Sequence, residues 1–201
     1  MRWWLGNLLL GTGMVLLIAG GGVWLLSEAG QEEALREWKG REAEWDSAAA
    51  TAEDASEGPV AAARDGDVVA RLWVPQLGRE EFILRGATRR NLLKGAAWLS
   101  ESAPPGSRGN CIIAGHRDTH FRFLKDLRAG DEVVVQPDRE RRHRYRVTGL
   151  EIVRPTHTAY LRATREAALT LITCYPFYYI GKAPMRYIVR ADIVATENIE
   201  P

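Results

Sequence analysis

The chain is poor in cysteine. Cys111 and Cys174 are the two it carries in 201 residues, too few for the disulfide framework of a small secreted scaffold. It has no internal repeat, and a hydrophobic content of 46% with 26% charged residues is ordinary for a globular protein, which excludes a fibre or a wholly disordered chain. It also lacks a clustered basic patch. The net charge is +1, but residues 27–66 hold 4 Lys/Arg against 11 Asp/Glu, whereas residues 67–201 hold 22 against 15. The arginines of that basic part are spread along it as on a solvated surface, so nucleic acid is not an expected partner.

What is present begins with an apolar run. Leu5 to Leu26 holds no charged residue, and a helix rising about 1.5 Å per residue over that length crosses a hydrocarbon core of about 30 Å. Arg2 precedes the run and Glu28, Glu32 and Glu33 follow it, which orients the amino terminus inside and the remainder outside. A cleaved signal peptide fits less well, because its apolar region usually spans about 7–15 residues. Residues 1–27 are therefore expected to form a single-pass plasma-membrane anchor with the rest of the chain extracytoplasmic. Residues 28–66 follow as an acidic stalk. Its first half, 28–47, has the composition of a solvated helix with Trp38 and Trp45 on one face, and its second half reads as a flexible spacer.

From Asp67 the texture changes to short runs rich in Val, Ile and Tyr, bounded by Gly, Pro or Asp: VVARLWV (68–74), EEFILRG (80–86), NCIIAGH (110–116), DEVVVQP (131–137), HRYRVTGLEIVRP (143–155), ALTLITCYP (168–176) and RYIVRADIV (186–194). The segments TRRNLLKGAAWL and THFRFLKDL allow one short helix each. Seven or eight strands without regular strand–helix alternation predict a mostly antiparallel barrel or sandwich over 67–201.

Three of these runs end on residues with chemical potential. Cys174 closes TLITC just before Tyr-Pro, His116 closes CIIAGH, and Arg186 opens the last run. Each has an unremarkable reading alone: a core thiol, a strand cap and a surface charge. Together they meet the needs of acyl transfer. A thiol attacks as thiolate and needs a nearby cation, an imidazole supplies that charge and later a proton, and a guanidinium fork suits a developing oxyanion. Thr173, beside the thiol, is a candidate substrate contact and equally a simple strand former. His116 and His120 have the spacing of a zinc helix, but Arg117 stands where that motif has Glu and no third ligand is evident. No metal or other cofactor is expected. Cys111 is expected in the core, and a Cys111–Cys174 disulfide stays open.

TLITC (170–174) matches the sortase signature T-L-x-T-C, with Arg186 twelve residues on in a strand-like run. AGHRDTHFRFLKDLRAGDEV (114–133) resembles the histidine segment of that family, and LITCYPFYYIGKAPMRYIVRA (171–191) its cysteine-to-arginine segment, as in class D and in the sortases of Gram-negative bacteria. The resemblance covers about 68–195. It implies an eight-stranded sortase-type β-barrel with short helices, and His116, Cys174 and Arg186 as catalytic residues of a cysteine transpeptidase. The implied substrate is a surface protein with an LPxTG-like sorting signal near its carboxyl end, cleaved through a thioacyl-enzyme and passed to an amine acceptor. The loop at 155–168 falls where sortases shape the peptide groove. An L,D-transpeptidase-like enzyme acting on peptidoglycan is a weaker alternative, since 58 positions separate His116 from Cys174 and no SHG segment occurs. A membrane-anchored binding barrel with an inert Cys174 is the non-enzymatic one.

Overall fold

Strand β1 (Val68–Val74) opens the barrel. Its register on β2 (Arg79–Arg85) shifts between Val68 and Ala70, and such a bulge turns the side chains on either side of it to different faces. Ala70, Leu72 and Val74 accordingly join the interior cluster, while Val68 packs outward with Phe82, Leu84 and Ala97. The computed structural model describes residues 22, 25, 26, 28–41, 60 and 63–199. Nearly all of the membrane run expected at Leu5–Leu26, and residues 42–59 of the stalk, lie outside them. Among the described residues no helix is long and apolar enough to cross a membrane.

Eight strands close on themselves in the order β1-β2-β3-β4-β7-β8-β6-β5. After β1 and β2 come β3 (Ala96–Trp98), β4 (Asn110–Ala114), β5 (Glu132–Gln136), β6 (Arg141–Val153), β7 (Ala168–Tyr175) and β8 (Met185–Asn198). Pairing is antiparallel except at β2/β3 and β4/β7. The interior is filled by apolar side chains at alternate strand positions, among them Leu72, Ile83, Ile113, Leu169, Leu171 and Val189. Two parallel pairs need crossovers. The β2–β3 crossover carries a short helix, α2 (Arg89–Lys94), capped by Thr88, whose hydroxyl accepts from Asn91 N.

The segment TRRNLLKGAAWL thus carries the one short helix it allows and a strand besides. Its helix stops at Lys94 and the Ala96–Trp98 half becomes β3, paired on both sides. THFRFLKDL forms a 3-10 helix at Arg122–Asp126.

Residues 28–41 form helix α1, and this half of the stalk lies against the barrel. Trp38 is 2% exposed and packs with Ala34 on Val68, Phe82, Leu84 and Ala97. Gln31 Oε1 accepts from Phe82 N, Glu37 Oε1 accepts from Val68 N, and Lys94 pairs with Glu33 at 2.9 Å. At Gly30 a Cβ would stand 2.4 Å from the Lys94 carbonyl oxygen, so only glycine permits that approach. Trp45 lies outside the described residues.

Candidate active site

The pairing of β7 with its two neighbours brings the three candidate residues to one end of the barrel. Cys174 and Arg186 are direct partners across the antiparallel β7/β8 ladder, where side chains project to the same face with Cβ atoms about 4.5–5.5 Å apart. On the other side, β4 runs parallel to β7 with Ala114 opposite Ile172, and Gly115 N continues the ladder to Ile172 O at 3.1 Å. His116 and Cys174 thus each lie two residues beyond the same pair. All three are partly buried.

The turn after β4 holds the imidazole in place. Phe121 N donates to His116 O at 2.9 Å. The fully buried Phe121 ring lies over Gly115, where a Cβ would come within 2.7 Å of it. Burial lowers the His116 pKa from its ordinary value; Asp118 opposes this, while His120 and Arg117 add to it. His120 is buried, its Nδ1 3.1 Å from Glu81 Oε2 on β2. Burial raises the Glu81 carboxyl against the pull of that imidazole. The four-residue histidine spacing thus ties the turn to β2. Sequence reasoning missed Glu81 as a partner, because a glutamate in a strand normally faces water.

Thr173 faces the barrel interior, 2% exposed, and its hydroxyl donates to Gly115 O at 2.8 Å. It links β7 to the strand end that carries His116. Cys111 pairs with Leu169 and is 1% exposed inside the barrel, where burial raises its thiol pKa far above the ordinary value. Such a thiol is inert. Both cysteines are free. Cys111 is opposite a residue five positions before Cys174, about 16 Å away at ~3.3 Å per residue, and a disulfide needs Cα atoms within about 7 Å. That separation resolves the open disulfide question: the two thiols do not meet.

Of the aromatic run after Cys174, Tyr175 and Phe177 form a ring cluster with Tyr187, while Tyr178 and Tyr179 are exposed. A groove of about 570 Å³ runs along the outer face beside the strand ends. It is lined by Ala114 and Ile172, by Thr88 and Leu92 of the α2 region, and by Tyr160 and Leu161 of the β6–β7 loop. That loop is pinned by Asn110, whose Nδ2 donates to Tyr160 O and Arg162 O while its Oδ1 accepts from Thr170.

The sequence model of the sortase domain matches residues 72–194. Sortase D of Bacillus subtilis is 34% identical over 119 residues, covering 59% of this chain and 60% of that protein; the matched stretch is thus under two thirds of that relative's length. The sortase E structure from Streptomyces avermitilis superposes with a TM-score of 0.58 at 30% identity, covering 68% of this chain and 93% of that one. A Clostridium perfringens sortase D5 transpeptidase shares the fold with a TM-score of 0.63 at 24% identity, over 85% of this chain and 99% of that one. With the domain match spanning most of the barrel, the chain belongs to the sortase family.

Proposed function

We propose that the protein is a membrane-anchored cysteine transpeptidase that cleaves an LPxTG-like sorting signal and transfers the acyl part to an amine. Burial keeps the free His116 imidazole largely neutral near pH 7, so it accepts the Cys174 proton. Cys174 Sγ then attacks the backbone carbonyl of the sorting signal. Arg186 stabilises the oxyanion with its guanidinium, and the His116 imidazolium protonates the departing amine as the C–N bond breaks. The thioester that remains on Cys174 is resolved by an incoming amine, whose lost proton returns to His116, and a new amide forms. Sorting peptide occupies the groove over Ala114 and Ile172. Thr173, on the opposite face of β7 from Cys174, serves the site by holding Gly115. The substrate is a surface protein bearing the signal, and the acceptor is a cell-wall peptide or another protein.

The observation that carries this reading is the Cys174/Arg186 cross-strand pairing with His116 on the adjoining strand end. The apolar run Leu5–Leu26 supplies the membrane anchor, with the barrel on the outer side. The test uses a library of LPxTG-like peptides with hydroxylamine or an aminated acceptor and mass analysis of products. Cys174→Ala should give no thioacyl adduct or transpeptidation while retaining the wild-type melting temperature, because the site is a partly exposed strand end. Peptide cleavage surviving in that variant defeats the assignment.

A further inference from the structure

Arg117 follows His116 directly, yet its guanidinium serves a different part of the chain. Nη1 donates to Pro176 O at 3.0 Å, and Nη2 donates to Tyr179 O at 2.8 Å and to Gly181 O at 3.2 Å. The same group stands 5.7 Å from the Tyr179 ring centroid. Three carbonyls of the β7–β8 loop thus converge on one planar cation. That loop joins Cys174 to Arg186. Phe177 packs on Tyr175 and Tyr187 at its start and the Arg122 guanidinium stands 5.7 Å from the Tyr178 ring centroid, but its outer part is open. Tyr178 is 73% exposed and Ile180 fully so. Among the described residues it makes no turn-type backbone hydrogen bond between 177 and 184. At its far end the Arg186 guanidinium leans on the loop itself, with Nη1 donating to Met185 O at 2.9 Å and Ala183 O at 3.4 Å.

The chain of contacts therefore runs from the His116 turn through Arg117 to the loop, and from the loop to Arg186. The other end of the turn is tied to β2 through His120 and Glu81, so the turn stays fixed if the loop is released. We propose that Arg117 is a positioning residue that couples the His116 turn to the β7–β8 loop and so sets the Arg186 guanidinium relative to the imidazole and thiol. The proposal rests on the transpeptidase reading and concerns a residue that touches none of the reacting atoms. Charge alone is insufficient for the task, because the bonds leave from two nitrogens of a rigid fork and a single ammonium cannot span all three carbonyls.

The test compares full-length Arg117→Lys and Arg117→Ala with wild type in detergent. In both variants, backbone order parameters across 177–184 should fall below about 0.6, the range of a flexible segment, while the amides of β4 and β7 keep their protection against hydrogen exchange. Turnover of a sorting peptide should fall about 10–100-fold in kcat with KM changing less than about threefold, the signature of an interaction expressed in the transition state. Unchanged loop order parameters overturn the proposal, as does wild-type turnover in Arg117→Lys. Faster exchange throughout β4 and β7 also overturns it, making Arg117 a residue of the fold. Cleavage by Cys174→Ala would remove the transpeptidase reading alone, since the loop-order result stands independently of it.

Discussion

Burial dominates the proton affinity of His116, with His120 and Arg117 acting alongside it and Asp118 against it. Burial and the charges of His120 and Arg117 favour the neutral ring, and Asp118 favours the imidazolium. The protonated form is therefore lost as pH rises through a value below the ordinary histidine pKa of about 6.5. Asp118→Asn removes the carboxylate that raises this pKa, so titration of the His116 ring by NMR should give a lower midpoint than in wild type. A midpoint that stays put or rises would show that Asp118 does not bear on the imidazole. The placement of Cys174, His116 and Arg186 at the ends of apolar runs was legible in the sequence, while the catalytic reading of the three came from the resemblance of their segments to sortases. The partners were not legible. Glu81 lies 39 positions from His120, and the carbonyls that Arg117 reaches lie 59 to 64 positions away. Nothing in a local window announces contacts that exist only once the barrel has closed.

Helix α1 shows the same limit at the level of an element. Its acidic composition describes one face well, but Ala34 and Trp38, four apart on the other, fill a hydrophobic patch made by β1, β2 and β3. A buried tryptophan removes roughly 150–250 Å² from water, a gross gain of about 4–6 kcal/mol at ~25 cal/mol per Å². That gain can hold a helix against a surface. β3 was hidden for a related reason: Ala96 and Ala97 suit a helix as well as a strand, and pairing with β2 and β4 decided between them. The contact at Gly30 makes docking testable. A Cβ there meets Lys94 backbone, so Gly30→Ala should release α1 despite its higher helix propensity. Hydrogen exchange across 28–41 should then accelerate while the barrel strands keep their protection. Unchanged exchange in that segment would mean that α1 and α2 separate without cost to docking.

Taken as one molecule, the chain combines an apolar run ending at Leu26, a helix over residues 28–41 packed on the barrel, and a candidate site at the ends of β4, β7 and β8. The strand runs and their order were legible because β-branched residues alternate between turn formers. The eight-stranded barrel followed from the resemblance, but the parallel β4/β7 pairing did not show in any local pattern, since it joins segments 58 positions apart, Asn110 to Ala168. Docked α1 also changes the mechanical picture of the stalk. With α1 packed on the barrel, the spacer after it does not separate the barrel from the apolar run. If that run anchors the chain as proposed, the barrel is held close to the bilayer. A chain lacking residues 1–27 but keeping α1 should move from the membrane pellet to the supernatant. It should still turn over a soluble sorting peptide within about threefold of the full chain, because the docked helix, the groove and the three strand ends remain. Continued pelleting with membranes would place the attachment elsewhere, and a full-length chain found in the supernatant would remove the anchor altogether.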